Sequence, residues 1–240
     1  MAERWRVALI DSGWSPAAGL PVVAARRFID AEGEVHEGPT VEDATGHGTA
    51  IAEIIRASGN EIDWVIGQVF DARGRPAEVA PARNAGARST PASIAAAVSW
   101  ALSQRVQLIH LSLGLQQDRR VLADAIGAAL SASVIVVASS PAQGAITYPA
   151  AYPDVIRATG DARCRPDEIS ALATRQADYG ACALHQTSSG RVLRGASIGA
   201  AHVSRFIVRH AAPGTGVADL RQVLHRLAVY QGPERRVAFT

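Results

Sequence analysis

The sequence predicts an α/β fold, a mainly parallel sheet with helices on both faces. Three observations carry this. Short, almost continuously apolar runs such as residues 106–112 and 134–138 read as strands buried on both sides. These runs alternate with helical stretches of about 10–15 residues, the pattern of successive βαβ units. The 240 residues, 48% of them hydrophobic, suit a single domain over 1–240 that buries its core without disulfide or metal.

Residues 6–10 form an apolar run that ends in Asp11-Ser12-Gly13, a buried strand entering a turn. Residues 14–46, rich in glycine, proline and acidic groups, read mostly as loop. Residues 48–57 have helical apolar spacing, stopped by Gly59-Asn60. A strand over 64–70 and a loop over 73–87 follow. Ser89-Thr90-Pro91 opens a helix, with proline in its first turn, that runs to about residue 104. After the strand 106–112 come a helix over 118–131, the strand 134–138 and a short strand over 155–158. Helices over 197–210 and 217–229 close the chain.

Composition excludes several classes of function. All 24 basic residues are arginine, so no P-loop lysine, Schiff-base lysine or Ser–Lys hydrolase is available. The net charge is only +2 and the arginines are scattered singly or in pairs, which fits a solvated surface and not a nucleic-acid stripe. No apolar run approaches the roughly 20 residues that span a bilayer. Residues 1–10 lack the apolar core and cleavage site of a secretory signal, so a cytoplasmic location is expected. Cys164 and Cys182 show no metal-ligand spacing; they read as free thiols, with a disulfide as the alternative. Closely spaced carboxylates of a calcium loop are absent too, so no metal and no cofactor is expected.

In a parallel sheet, reactive groups belong at the carboxyl ends of strands and the amino ends of helices. Asp11 ends the first strand, His47 lies in Gly46-His47-Gly48-Thr49 at a helix start, and Ser197 lies in Gly195-Ala196-Ser197 at another. Each has an ordinary reading by itself: a turn aspartate, a backbone-bonded histidine, a helix-capping serine. Together they supply what acyl transfer needs. A hydroxyl attacks, an imidazole takes its proton, and a carboxylate orients the imidazole.

In this order the motifs resemble those of the subtilisin-like serine proteases. Val7-Ala8-Leu9-Ile10-Asp11-Ser12-Gly13 resembles the family's aspartate motif, and Gly46-His47-Gly48-Thr49 its histidine motif. Gly195-Ala196-Ser197-Ile198-Gly199 resembles the serine motif, with Ala196 and Ile198 where the family usually has Thr and Met. Ile109-His110-Leu111-Ser112-Leu113-Gly114 resembles the strand that lines the substrate cleft, and the resemblance extends from about residue 6 to 209. It implies a three-layer subtilisin-like fold and a serine endopeptidase with Asp11, His47 and Ser197 as triad. It also implies substrate binding along Ser112, Leu113 and Gly114, a peptide or protein substrate, and no nucleic-acid or membrane partner. His110 and His202 read as core histidines with satisfied hydrogen bonds.

Two departures stand out. The family places an asparagine side chain in the oxyanion hole, whereas a gapless match puts Ala142 there. Losing one such donor costs about 3–4 kcal/mol in a subtilisin. Gln143, Ser140 and Ser139 are candidate replacements, beside the backbone N–H of Ser197. Asp11 also has only ten residues before it, no room for the signal and propeptide of secreted members. That points to processing of one chosen peptide or leader segment. A catalytically silent fold that binds or chaperones a peptide is the alternative.

Overall fold

The computed structural model describes residues 4–70 and 89–234. Its first half contains β1 (Trp5–Asp11), β2 (Val22–Ala31), β3 (Glu34–Gly38), α1 (His47–Arg56), β4 (Ile62–Gln68), α2 (Pro91–Ser103), β5 (Leu108–Leu111) and α3 (Arg120–Ser131). The second half contains β6 (Ile135–Ser139), β7 (Ile156–Gly160), β8 (Ile169–Ala171), β9 (Tyr179–Ala181), β10 (Leu184–Gln186) and β11 (Val192–Arg194). It closes with α4 (Ala196–His210), α5 (Val217–Leu227) and β12 (Tyr230–Gln231).

One sheet takes ten of the strands, in the order β12-β8-β9-β7-β6-β5-β1-β4-β2-β3. Neighbours run parallel except β8 with β9 and β2 with β3. Side chains that alternate along each strand divide the core in two. Val7, Leu9, Trp64, Ile66, Leu108 and Val137 pack under α1, α4 and α5. Ala8, Ile10, Val65, Ile109, Leu111 and Val136 pack under α2 and α3. Both faces are buried, which is why the central strands read as continuous apolar runs. The α/β class with helices on both faces is therefore the observed architecture.

The helix starts follow local chemistry. Thr90 and Ser93 bond each other's backbone N–H in a capping box ahead of α2, with Pro91 in the first turn. Where the sequence reading and the structure differ, short or charged strands are the reason. Residues 14–46 are not mostly loop: they hold the β2–β3 hairpin, whose Glu32 and Gly33 both have positive φ. Glu-Gly is a weaker hairpin signal than Asn-Gly or Asp-Gly, and the Arg26–Glu37 pair across the hairpin, at 2.6 Å, interrupts any apolar pattern. Strands β8 to β11 have three residues each, too few to show a period. The loop expected over 73–87 lies outside the described residues. Among the described residues no helix is long and apolar enough to cross a membrane.

Register sets up the site. Ile10 lies opposite Leu111 on β5, and Leu111 opposite Ala138 on β6. The next residues, Asp11, Ser112 and Ser139, therefore form a row at the carboxyl edge, with strands about 4.8 Å apart. Helix α4 crosses this edge because Gly199 has no side chain: a Cβ there would fall 2.2 Å from the Thr159 carbonyl oxygen. Gly199→Ala gains helix propensity but forces α4 off β7, and should destabilise the protein by about 1–3 kcal/mol in urea denaturation. An unchanged midpoint would show that α4 does not need this close approach.

Candidate active site

Asp11 is 1% exposed at the end of β1. Its Oδ1 accepts from the Ser12 N–H at 2.7 Å and lies 2.8 Å from His47 Nδ1. Its Oδ2 is buried with no hydrogen-bond partner among the described residues. His47 is the first residue of α1, and its side chain is a quarter exposed. The Asp11 charge, opposed by partial burial, raises the imidazole above its ordinary pKa near 6.5.

A second carboxylate, Asp43, builds the turn that carries His47. Its Oδ1 accepts from Ser12 Oγ at 2.9 Å, Thr45 Oγ1 at 3.0 Å and the Gly46 N–H at 2.9 Å. Its Oδ2 accepts from the N–H and hydroxyl of Thr49 at 2.9 and 2.8 Å. Burial pushes this carboxyl up, but the bonds from Thr49, Ser12 and Thr45 outweigh it and hold it below the usual range. The anion also sits where the α1 dipole favours it. The circuit closes on both sides: His47 N–H donates to Thr45 Oγ1 at 3.1 Å, and Gly48 N–H to Ser12 Oγ at 3.0 Å. Gln68 Nε2 pins the same turn by donating to the Ser12 carbonyl at 2.8 Å. Asp43 and Gln68 escaped the sequence reading. The available signal was an acid flanked by hydroxyls, Asp43-Ala44-Thr45-Gly46, just before a helix.

Ser197 is the second residue of α4, half-buried, and its hydroxyl donates to the Ser112 carbonyl at 3.3 Å. No hydrogen bond joins it to His47 among the described residues. Its backbone N–H has no partner either, as expected in the first turn of a helix. The structure thus bonds Asp11 to His47 and rests Ser197 on Ser112, whose neighbour across the sheet is the Asp11 strand end.

Among the substrate-binding candidates, Ser112 and Leu113 are buried and Gly114 is exposed. The backbone of Leu113 and Gly114 bonds to no described residue, while Leu115 pairs with Tyr148 at 2.7 and 2.8 Å. Among the described residues this leaves an extended edge open to a peptide. Of the oxyanion candidates, Ser139 ends β6 and Ser140 follows it, both buried, with the Ser140 N–H bonded to the Ala158 carbonyl. Gln143 is exposed and its side chain makes no hydrogen bond among the described residues. Cys164 and Cys182 are separate buried thiols. His110 is satisfied by two serine hydroxyls, but both ring nitrogens of buried His202 lack a partner among the described residues, against expectation. The ring lies near the Leu184 and Pro166 backbone, with the His185 ring centroid 6.5 Å away, and burial, helped by the Arg205 charge, pushes it down to about 4. Among the described residues no cluster of three or more His, Cys, Asp or Glu could hold a metal.

Fold and groups together define an α/β protein with an acid–imidazole pair and a hydroxyl gathered at one sheet edge. The chain belongs to the subtilase family, whose peptidase S8 model matches residues 5–239. It is 35% identical to Subtilisin BL of Lederbergia lenta over 149 residues, 61% of this chain and 52% of that protein. The chain spans about half or less of the length of such curated relatives. Among solved structures it is similar to the S41 psychrophilic protease, with TM-score 0.64 and 16% identity over 94% of this chain and 85% of the other. It is also similar to the epidermin leader peptide processing serine protease of Staphylococcus aureus, with TM-score 0.59 and 16% identity over 84% and 63% of the two chains.

The His47 shift has a sign that can be checked. A raised pKa means the Asp11–His47 ion pair stabilises the fold fully below pH 6.5, and that contribution is lost as pH rises through the raised value. Asp11→Asn removes the attraction. The His47 midpoint, followed by NMR, should stand above 6.5 in the native chain and fall in the variant; an unmoved midpoint would deny the coupling.

Proposed function

We propose that the chain is a serine endopeptidase with Ser197 as nucleophile, His47 as general base and then acid, and Asp11 as the group that orients it. The observation that carries this is the 2.8 Å Asp11–His47 bond at the sheet edge where the Ser197 hydroxyl rests. A peptide lies along the open edge of 112–114, its scissile carbonyl over Ser197. The Ser197 hydroxyl leaves the Ser112 carbonyl for His47 Nε2, loses its proton there and adds to the carbonyl carbon. The Ser197 N–H donates to the developing oxyanion. His47 then protonates the leaving amine, and water repeats the sequence on the acyl-enzyme. Asp11 holds the imidazole with Nδ1 protonated and offsets the cation.

The substrate is one chosen peptide or leader segment, cut during maturation of a protein in the cytoplasm. The Staphylococcus aureus neighbour, a leader peptide processing protease, supports this. Within that class, the particular activity we propose is that of the maturation protease of quinohemoprotein amine dehydrogenase. A silent, peptide-binding member is the second reading, favoured only by Ala142 at the family's asparagine position.

A fluorophosphonate separates the two. The native chain should become covalently labelled at Ser197, and Ser197→Ala or His47→Ala should lose nearly all labelling and peptidase activity while remaining folded. Undiminished hydrolysis by Ser197→Ala would overturn the nucleophile.

The oxyanion donor is tested by Gln143→Ala, Ser139→Ala and Ser140→Ala side by side. We expect Gln143 or Ser140 to be the partner of the Ser197 N–H, and its removal to lower kcat by roughly 10²–10³ with little change in KM. If none of the three falls by even about tenfold, the hole is completed by backbone or substrate.

A further inference from the structure

His110 stands on β5 between Leu9 of β1 and Val137 of β6, in the middle of the sheet and wholly buried. An imidazole there replaces what the strand pattern would fill with an aliphatic side chain. Its Nδ1 lies 2.8 Å from Ser204 Oγ on α4, and its Nε2 lies 2.5 Å from Ser112 Oγ. Ser204 is itself wholly buried and follows Ser197 by two turns of the same helix, at about 3.6 residues per turn. Ser112 is the residue whose carbonyl receives the Ser197 hydroxyl. One ring therefore ties the nucleophile helix to the strand end on which the nucleophile rests.

Resting on the protease reading above, we infer that His110 is a positioning residue: a neutral bridge from Ser204 to Ser112 that sets where Ser197 stands relative to the substrate edge. The direction of the bridge follows from proton accounting. Ser204 Oγ has His110 as its only hydrogen-bond partner among the described residues. A buried hydroxyl proton without an acceptor is costly, so Ser204 donates to Nδ1. A neutral imidazole then carries its proton on Nε2 and donates it to Ser112 Oγ. Ser112 Oγ likewise has only His110 as partner among the described residues, but it is 8% exposed where Ser204 is 0%, so its own proton can reach solvent. Burial pushes the ring down to about 4, which keeps it uncharged despite the nearby Asp11. Apolar packing could fill the same volume, but it would fix neither the rotation of α4 nor the Ser112 side chain. Displacing a reacting group by about 1 Å costs on the order of 10² in rate, so a bridge of this kind has consequences for turnover.

Two measurements test it. In the native chain, nitrogen NMR should find the His110 ring neutral between about pH 5 and 8, with Nε2 protonated. The opposite tautomer, or a ring that titrates in that range, would overturn the bridge. In Ser204→Ala and His110→Gln, each verified as folded by circular dichroism, Ser197 labelling and kcat should fall roughly 10–100-fold, with KM within about threefold. Labelling within about twofold of the native rate in both variants would overturn the positioning role. Ser204→Ala removes little volume, and keeps the test alive if His110→Gln does not fold. A native chain that takes no label at all fails the protease reading instead, and the ring's tautomer still decides whether the bridge exists.

Discussion

Asp11 and His47 are 36 residues apart in the chain, and the 2.8 Å bond between them requires the first turn of α1 to lie against the turn after β1. Two constraints impose that. A Cβ on Gly48 would fall 2.2 Å from the Gly13 carbonyl oxygen, so only glycine lets the two backbones meet. Asp43 then collects donors from Ser12 on one side and from Thr45, Gly46 and Thr49 on the other, and converts the contact into a fixed geometry. The carboxylate that faces the imidazole is thus only the visible half of the acid machinery. The other half never reaches the imidazole and decides where it stands.

Two helices begin at this edge, and their free N–H groups are used in opposite ways. At α1 they are consumed: Gly46, His47, Gly48 and Thr49 all donate to side chains of the turn. At α4 the Ser197 N–H is left open. A closed helix start holds a base rigidly; an open one presents a donor to an arriving oxyanion. The same physical end of a helix serves as clamp in one place and as receptor in the other.

Much of this was legible in the residues. The central strands β1, β5 and β6 announce themselves because burial on both faces demands unbroken apolar runs, and α2 announces itself through Thr90, Pro91 and Ser93. The acid, imidazole and hydroxyl were legible because their motifs combine small residues with a functional one in a fixed order. The β2–β3 hairpin was not, since its exposed faces carry Arg26, Arg27 and Glu37, and no period survives. Asp43 was illegible for a different reason: its partners are brought to it by the fold, Ser12 from another segment altogether. His110 could be placed on a buried strand, yet Ser204 lies 94 residues away, and no spacing rule connects the two.

The two faces of the sheet share the work unequally. Helices α1 and α4, with the strand ends, supply the acid, the imidazole, the hydroxyl and the bridging serine; α2 and α3 cover the opposite face with aliphatic side chains and place nothing in the site. The covered rear layer is therefore free to drift in sequence so long as its volume is kept, whereas the front layer is bound residue by residue. Such a molecule has a chassis and a tool head. Substitutions in the chassis change how much strain or heat the chain tolerates, while a substitution at the edge changes the chemistry itself.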